Sequence, residues 1–230
     1  MDRPNLLLLH GALGTSAQFA LLVPLLDERY TIHLLDFEGH GAAPMRARSF
    51  RIEHFVENIL DHMASASLER VHIFGYSMGG YVACQLAATH PERVISIATL
   101  GTKFHWDPET SIRETGFLDP DKIRAKVPHF ASALEARHAT SGWETVLRAT
   151  ADLLISLGEA GGLRAPNLGL VQCPVRVMVG DRDRTVGVPE AYDVYRALPQ
   201  GQLEVLPATP HELERVSPER LASSLVSFFE

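Results

Sequence analysis

Short apolar runs bounded by Gly, Pro or Asp alternate along the chain with longer stretches of helical period. That alternation is the pattern of a parallel sheet covered by helices on both faces. Six runs predict strands, at residues 5–10, 31–36, 71–75, 94–100, 175–180 and 202–206. Between the second and third, Ile52, Phe55, Val56, Ile59, Leu60 and Met63 recur at the spacing of one helix face and predict an amphipathic helix. Helices are also predicted over 16–27, 78–89, 189–198 and 218–229, the last three bounded by Pro or a Gly-rich turn.

The alternation breaks after the fourth strand, where residues 102–171 contain no convincing strand. Asp119-Pro120 and Val127-Pro128 punctuate two short helical stretches. Trp143, Val146, Leu147, Thr150, Leu154 and Leu157 mark a longer helix expected to end at Gly158, with 158–162 and Pro166 as a flexible return. The expected organisation is an α/β core from 1–101 and 172–230, with 102–171 inserted as a small helical cap.

Composition narrows the class. Of 230 residues, 46% are hydrophobic and 21% charged, which describes an ordinary globular chain rather than a fibrous or disordered one. The formal charge of -7 comes with no basic cluster, so neither nucleic acid nor an anionic membrane surface is an expected partner. No apolar run approaches the ~18 residues of a membrane span. The start, Met1-Asp2-Arg3-Pro4 and four leucines after Asn5, lacks the features of a signal peptide, so the expected location is the cytoplasm. Cys84 and Cys173 lack metal-ligand spacing and read as free buried thiols.

The sharpest local signal is Gly75-Tyr76-Ser77-Met78-Gly79-Gly80, of the form G-x-S-x-G, set between a predicted strand and a predicted helix. Glycines on either side permit a tight turn that lifts Ser77 above the strand end, and the helix opening after it aims unpaired N–H groups at any nearby negative charge. A serine nucleophile needs a base, and the base needs an acid to orient it. In chain order the partners should be an acid and then a histidine. The loop Gly180-Asp181-Arg182-Asp183 supplies two carboxylates, and His211 follows the last strand. In a parallel sheet all of these ends lie on one edge.

With these motifs, joined by His10-Gly11-Ala12-Leu13-Gly14 and Asp36-Phe37-Glu38-Gly39-His40-Gly41, the chain resembles the α/β-hydrolase superfamily over nearly its whole length. The resemblance implies strand order 2-1-3-4-5-6 without the antiparallel hairpin that usually precedes the first strand. It implies Asp183 rather than Asp181 as the acid, and backbone N–H groups of Ala12 and Met78 as an oxyanion hole. A site where strand order reverses, between the first and third strands, is the same site reached by an independent rule.

The expected function is hydrolysis of an ester or related acyl bond of a small molecule by Ser77, His211 and Asp183, with no cofactor and no metal. The His-Gly and elbow segments also look like those of the pyruvate-eliminating synthase of the menaquinone pathway, whose arginine after the elbow is replaced here by Tyr81. That lyase, a thioesterase, a C–C hydrolase and a weakly catalytic small-molecule receptor stand as alternatives. Of the eleven histidines, His10 and His40 are expected to hold loops by hydrogen bonding, and His211-Glu212-Leu213-Glu214-Arg215 fails as a zinc motif because arginine takes the second ligand position. Phe104, Trp106, Phe117, Phe130 and Trp143 either line a pocket or glue the inserted helices to the core. Tyr76 and Tyr81 either touch substrate or pack beneath the elbow.

Overall fold

The computed structural model describes residues 3–163 and 165–230; Met1, Asp2, Arg164 and the side chains of Ala165 and Pro166 lie outside the described residues. Six strands, β1 (Asn5–Leu9), β2 (Thr31–Leu35), β3 (Val71–Tyr76), β4 (Val94–Leu100), β5 (Val175–Gly180) and β6 (Gly201–Leu206), form one parallel sheet in the order β2-β1-β3-β4-β5-β6. This is the order expected from the sequence. In β1 the leucines alternate between two cores: Leu7 and Leu9 join the cluster on one face, Leu6 and Leu8 the cluster on the other, and all four are fully buried. Burial of a leucine is worth about 1.5–3 kcal/mol, which is why a run of four specifies a central strand rather than an edge.

Helices α1 (Ile52–Ser65), α2 (Met78–Thr89), α8 (Val188–Ala197) and α9 (Pro218–Phe229) cover the sheet, with α1, α2 and α8 feeding the larger cluster and α9 the other. Between β4 and β5 run α3 (Pro108–Thr115), α4 (Pro120–Lys126), α5 (Pro128–Arg137), α6 (Trp143–Ala160) and the short α7 (Ala165–Leu168). Asp107 and Asp119 cap α3 and α4 by accepting N–H bonds from Thr110 and from Asp121 and Lys122, and a proline opens each of α3, α4 and α5.

Two local expectations are corrected. The segment predicted as a helix over 16–27 instead forms two 3-10 turns, Ser16–Phe19 and Val23–Leu25. Pro24 has no N–H to donate and its ring would strike the carbonyl four residues back, so an α-helix cannot run through it. The long helix does not stop at Gly158: α6 continues to Ala160 and ends at Gly161, which takes the left-handed conformation of a C-cap. Gly158 lies inside the helix, where its lack of a side chain makes room for α3: a Cβ would come 2.3 Å from the Ser111 hydroxyl.

Candidate active site

Strand register assembles the site. Leu9 pairs with Gly75, Tyr76 with Leu100, Leu100 with Met178, and Gly180 with Leu206, so the loops leaving β1, β3, β4, β5 and β6 emerge side by side. Ser77 sits between the end of β3 and the start of α2 with φ 50° and ψ -117°, a strained conformation for any residue with a Cβ. The turn closes because Gly75 has no side chain: a Cβ there would stand 2.4 Å from the Gly80 nitrogen. Ser77 is held by its N–H to the Leu100 carbonyl (2.8 Å), and its own carbonyl accepts from the Thr102 hydroxyl (2.9 Å) and the Gly80 N–H (3.0 Å).

The acid loop separates its two carboxylates. Asp183 Oδ2 lies 2.8 Å from His211 Nδ1, while Oδ1 accepts from the N–H groups of Thr185 and Val186, each at 2.8 Å. Burial alone would raise the Asp183 carboxyl, but the His211 hydrogen bond and charge, followed by the Val186 and Thr185 amides, outweigh it and hold the group below the ordinary carboxylate range. Asp181 instead accepts the Thr209 N–H (3.2 Å) and so pins the loop that carries His211. The structure brings Asp183, not Asp181, to the imidazole.

Gly101 follows Leu100, whose carbonyl takes the Ser77 N–H, and it packs against the Asp183–His211 pair. It stands at φ 60°, and a Cβ on it would lie 3.1 Å from both Asp183 Oδ2 and His211 Nδ1. Tyr76 adds a second tie: its hydroxyl donates to the His211 carbonyl (3.1 Å), and its ring centroid stands 5.6 Å from the imidazole. Tyr76 thus packs beneath the histidine, whereas Tyr81 lines the adjoining cavity. The loop after β1 completes the ring of elements: from Gly11, the position of a Cβ would be 3.2 Å from Ser77 Cβ. Met78 opens α2, so its N–H is among those an α-helix leaves without an internal partner.

A cavity of about 210 Å³ touches Ser77, Ala12 and Met78 and is walled largely by Trp106, Phe117, Leu118 and the α6 leucines Leu153, Leu154 and Leu157. Of the aromatics left open by the sequence, Trp106 and Phe117 line it; Phe104 is buried and stacks on Tyr81, and Trp143 carries Arg124 over its ring. Phe130 is half-exposed and away from this cavity. Lys103 also lines it, with its ammonium 3.0 Å from Glu190 and 3.2 Å from the Thr185 carbonyl. The other oxygen of Glu190 accepts the N–H groups of Phe104 and His105, fastening the chain leaving β4 to α8. No motif marked this clasp; its two charges lie 87 residues apart.

His10 and His40 are fully buried, and burial pushes His10 down to about 4 and His40 well below its ordinary value. Both are neutral at pH 7. His10 accepts the Phe37 N–H at Nε2 (3.1 Å) and so donates from Nδ1 to the Gly11 carbonyl (2.8 Å), the loop-holding role expected of it. Cys84 and Cys173 are free, and burial pushes both thiols up. Among the described residues, no group of three or more His, Cys, Asp or Glu side chains is arranged to hold a metal, and no helix is long and apolar enough to cross a membrane.

Residues 4–121 match the family model described as the alpha/beta hydrolase fold. A pimeloyl-[acyl-carrier protein] methyl ester esterase of Chromobacterium violaceum is 28% identical, over 90% of this chain and 87% of its own. A protein of the same name from Aeromonas hydrophila is 37% identical over 43% of this chain, a stretch spanning only 38% of that relative. A solved thermophilic esterase from Thermogutta terrifontis shares the fold with a TM-score of 0.79 at 20% identity, covering 99% of this chain and 90% of that one.

Proposed function

Because the chain belongs to the family of the alpha/beta hydrolase fold, we propose that it is a serine hydrolase cleaving a carboxylic ester of a small molecule through Ser77, His211 and Asp183. The observation that carries the reading is the 2.8 Å bond between His211 Nδ1 and buried Asp183, on the same sheet edge as a serine in a strained strand-to-helix turn. With Nδ1 committed to the carboxylate, Nε2 is the nitrogen that takes the Ser77 proton as the hydroxyl attacks the ester carbonyl. The same nitrogen then delivers that proton to the departing alkoxide. Water, activated by the imidazole, next splits the acyl-serine. N–H groups of Ala12 and Met78 hold the oxyanion, a contribution of about 3 kcal/mol per donor. No cofactor takes part in this sequence of steps.

An ester as the scissile bond follows the names of the relatives from Chromobacterium and Aeromonas. The acyl group is a matter for the cavity. At about 210 Å³ it is smaller than the ~300 Å³ lower bound common for drug-sized ligands. Its wall is mainly aliphatic and aromatic, and its cation is already paired with Glu190. A short to medium apolar acyl chain therefore fits, and a charged or long one does not. The test is hydrolysis of p-nitrophenyl esters from acetate to palmitate. The expected result is a maximum of kcat/KM between butyrate and octanoate with palmitate at least ~10-fold below it. Absence of turnover across the series would contradict the esterase reading.

A further inference from the structure

The segment of helices between β4 and β5 grips the loop after β1 at one carbonyl. The Leu13 oxygen accepts from Arg137 Nη1 (2.8 Å) and from His138 Nε2 (3.0 Å). On its other side, His138 Nδ1 accepts the Gly41 N–H from the loop after β2 (3.1 Å). A backbone N–H can only donate, so Nδ1 is bare and Nε2 carries the proton. The ring is fully buried at the C-terminus of α5, and burial lowers its proton affinity, which preserves this one donor and one acceptor at neutral pH.

What the grip fixes is a chain of rigid peptide planes. The Leu13 carbonyl and the Gly14 N–H belong to one planar unit, and the Gly14 N–H donates to the Gly11 carbonyl (3.0 Å). The Gly11 carbonyl and the Ala12 N–H belong to another such unit, two peptides back along the chain. Orienting the Leu13 carbonyl thus orients, through a single hydrogen bond, the peptide that ends in the Ala12 N–H. The turn needs an anchor, because Leu13 stands at φ 57° in the left-handed region that a leucine disfavours.

We propose that His138, seconded by Arg137, is a positioning residue for the oxyanion site: it sets the aim of the Ala12 N–H from the helical segment by holding the Leu13 carbonyl. This rests on the reading of Ala12 as an oxyanion donor. The helical segment accordingly tunes the rate of the chemical step as well as walling the acyl pocket.

The test compares the full chain with His138→Leu, His138→Gln and Arg137→Met, reading kcat and KM on p-nitrophenyl butyrate and the inhibition constant of phenylboronic acid. The boronate forms a tetrahedral adduct on the serine and reports the oxyanion site. Thermal melting confirms folding. His138→Leu is expected to lower kcat by roughly 10- to 100-fold, less than loss of a whole donor, with KM within about twofold and boronate inhibition weakened in step with kcat. In His138→Gln the terminal amide can still donate to Leu13, and kcat should return to within about fivefold of wild type. A folded His138→Leu with wild-type kcat overturns the proposal, as does an equal loss in the Gln and Leu variants. Should neither His138 variant fold, Arg137→Met, at a partly buried position, reads the same carbonyl: a several-fold fall in kcat with matching loss of boronate affinity supports the proposal, and unchanged values overturn it. A wild type that neither turns over the ester nor binds the boronate would overturn the hydrolase reading itself, an outcome distinct from all of these.

Discussion

Ser77→Gly is expected to abolish ester turnover and yet to melt above Ser77→Ala. The kinetic half follows from the nucleophile: without its hydroxyl no acyl-enzyme forms, and kcat should fall by about 10⁴- to 10⁶-fold in either variant. The stability half follows from the backbone. At φ 50° and ψ -117° a Cβ is strained, and alanine keeps that strain while glycine removes it. The strain is of order 1–3 kcal/mol, whereas glycine costs roughly 0.5–1 kcal/mol more than alanine in unfolded-chain entropy, so the strain term wins. A net gain of about 1 kcal/mol corresponds to roughly 2–4 °C in a chain of this size. Calorimetry of the two variants beside wild type checks it. An alanine variant as stable as the glycine one would mean that the elbow holds no strain.

The second large effect separates the two carboxylates of the β5 loop. Asp183→Asn should lower kcat by about 10⁴-fold with little change in overall structure. An asparagine amide donating to Nδ1 would force the proton onto Nε2, leaving no lone pair to accept the Ser77 proton. Asp181→Asn keeps an oxygen for the Thr209 N–H and should cost no more than about fivefold in kcat, with its effect falling on stability instead. Steady-state rates for the two variants decide it, and the reverse order of losses would assign the acid to Asp181.

The sheet was legible because its information is local. Leu6 to Leu9, Val94 to Leu100 and Val175 to Gly180 are apolar runs of strand length bounded by turn residues, and all three became parallel strands. The candidate site was legible for a related reason: Ser77, Asp183 and His211 each stand at the end of such a run, and parallel order carries those ends to one edge. The expectation of a helix over 16–27 failed at Pro24, which lacks the N–H an α-helix needs there, so the segment forms two 3-10 turns.

Contacts formed only by tertiary packing left no sequence signal. His138 lies 125 residues from Leu13 and 97 from Gly41, outside any motif, and nothing in its neighbourhood distinguishes it from the other histidines. The Lys103–Glu190 clasp is equally silent. Its charges sit on an irregular segment and on the first turn of α8, where solvated side chains are the norm. The α3 helix was missed because its exposed Ile112 and its polar sequence give no apolar stripe.

Incubation with a fluorophosphonate, read by intact mass and peptide mapping, tests the central assignment most directly. One adduct per chain is expected, on Ser77, formed on wild type and absent from Ser77→Ala, with labelling of His211→Ala slowed by orders of magnitude. No adduct on the wild type, or an adduct that persists in Ser77→Ala, would contradict it.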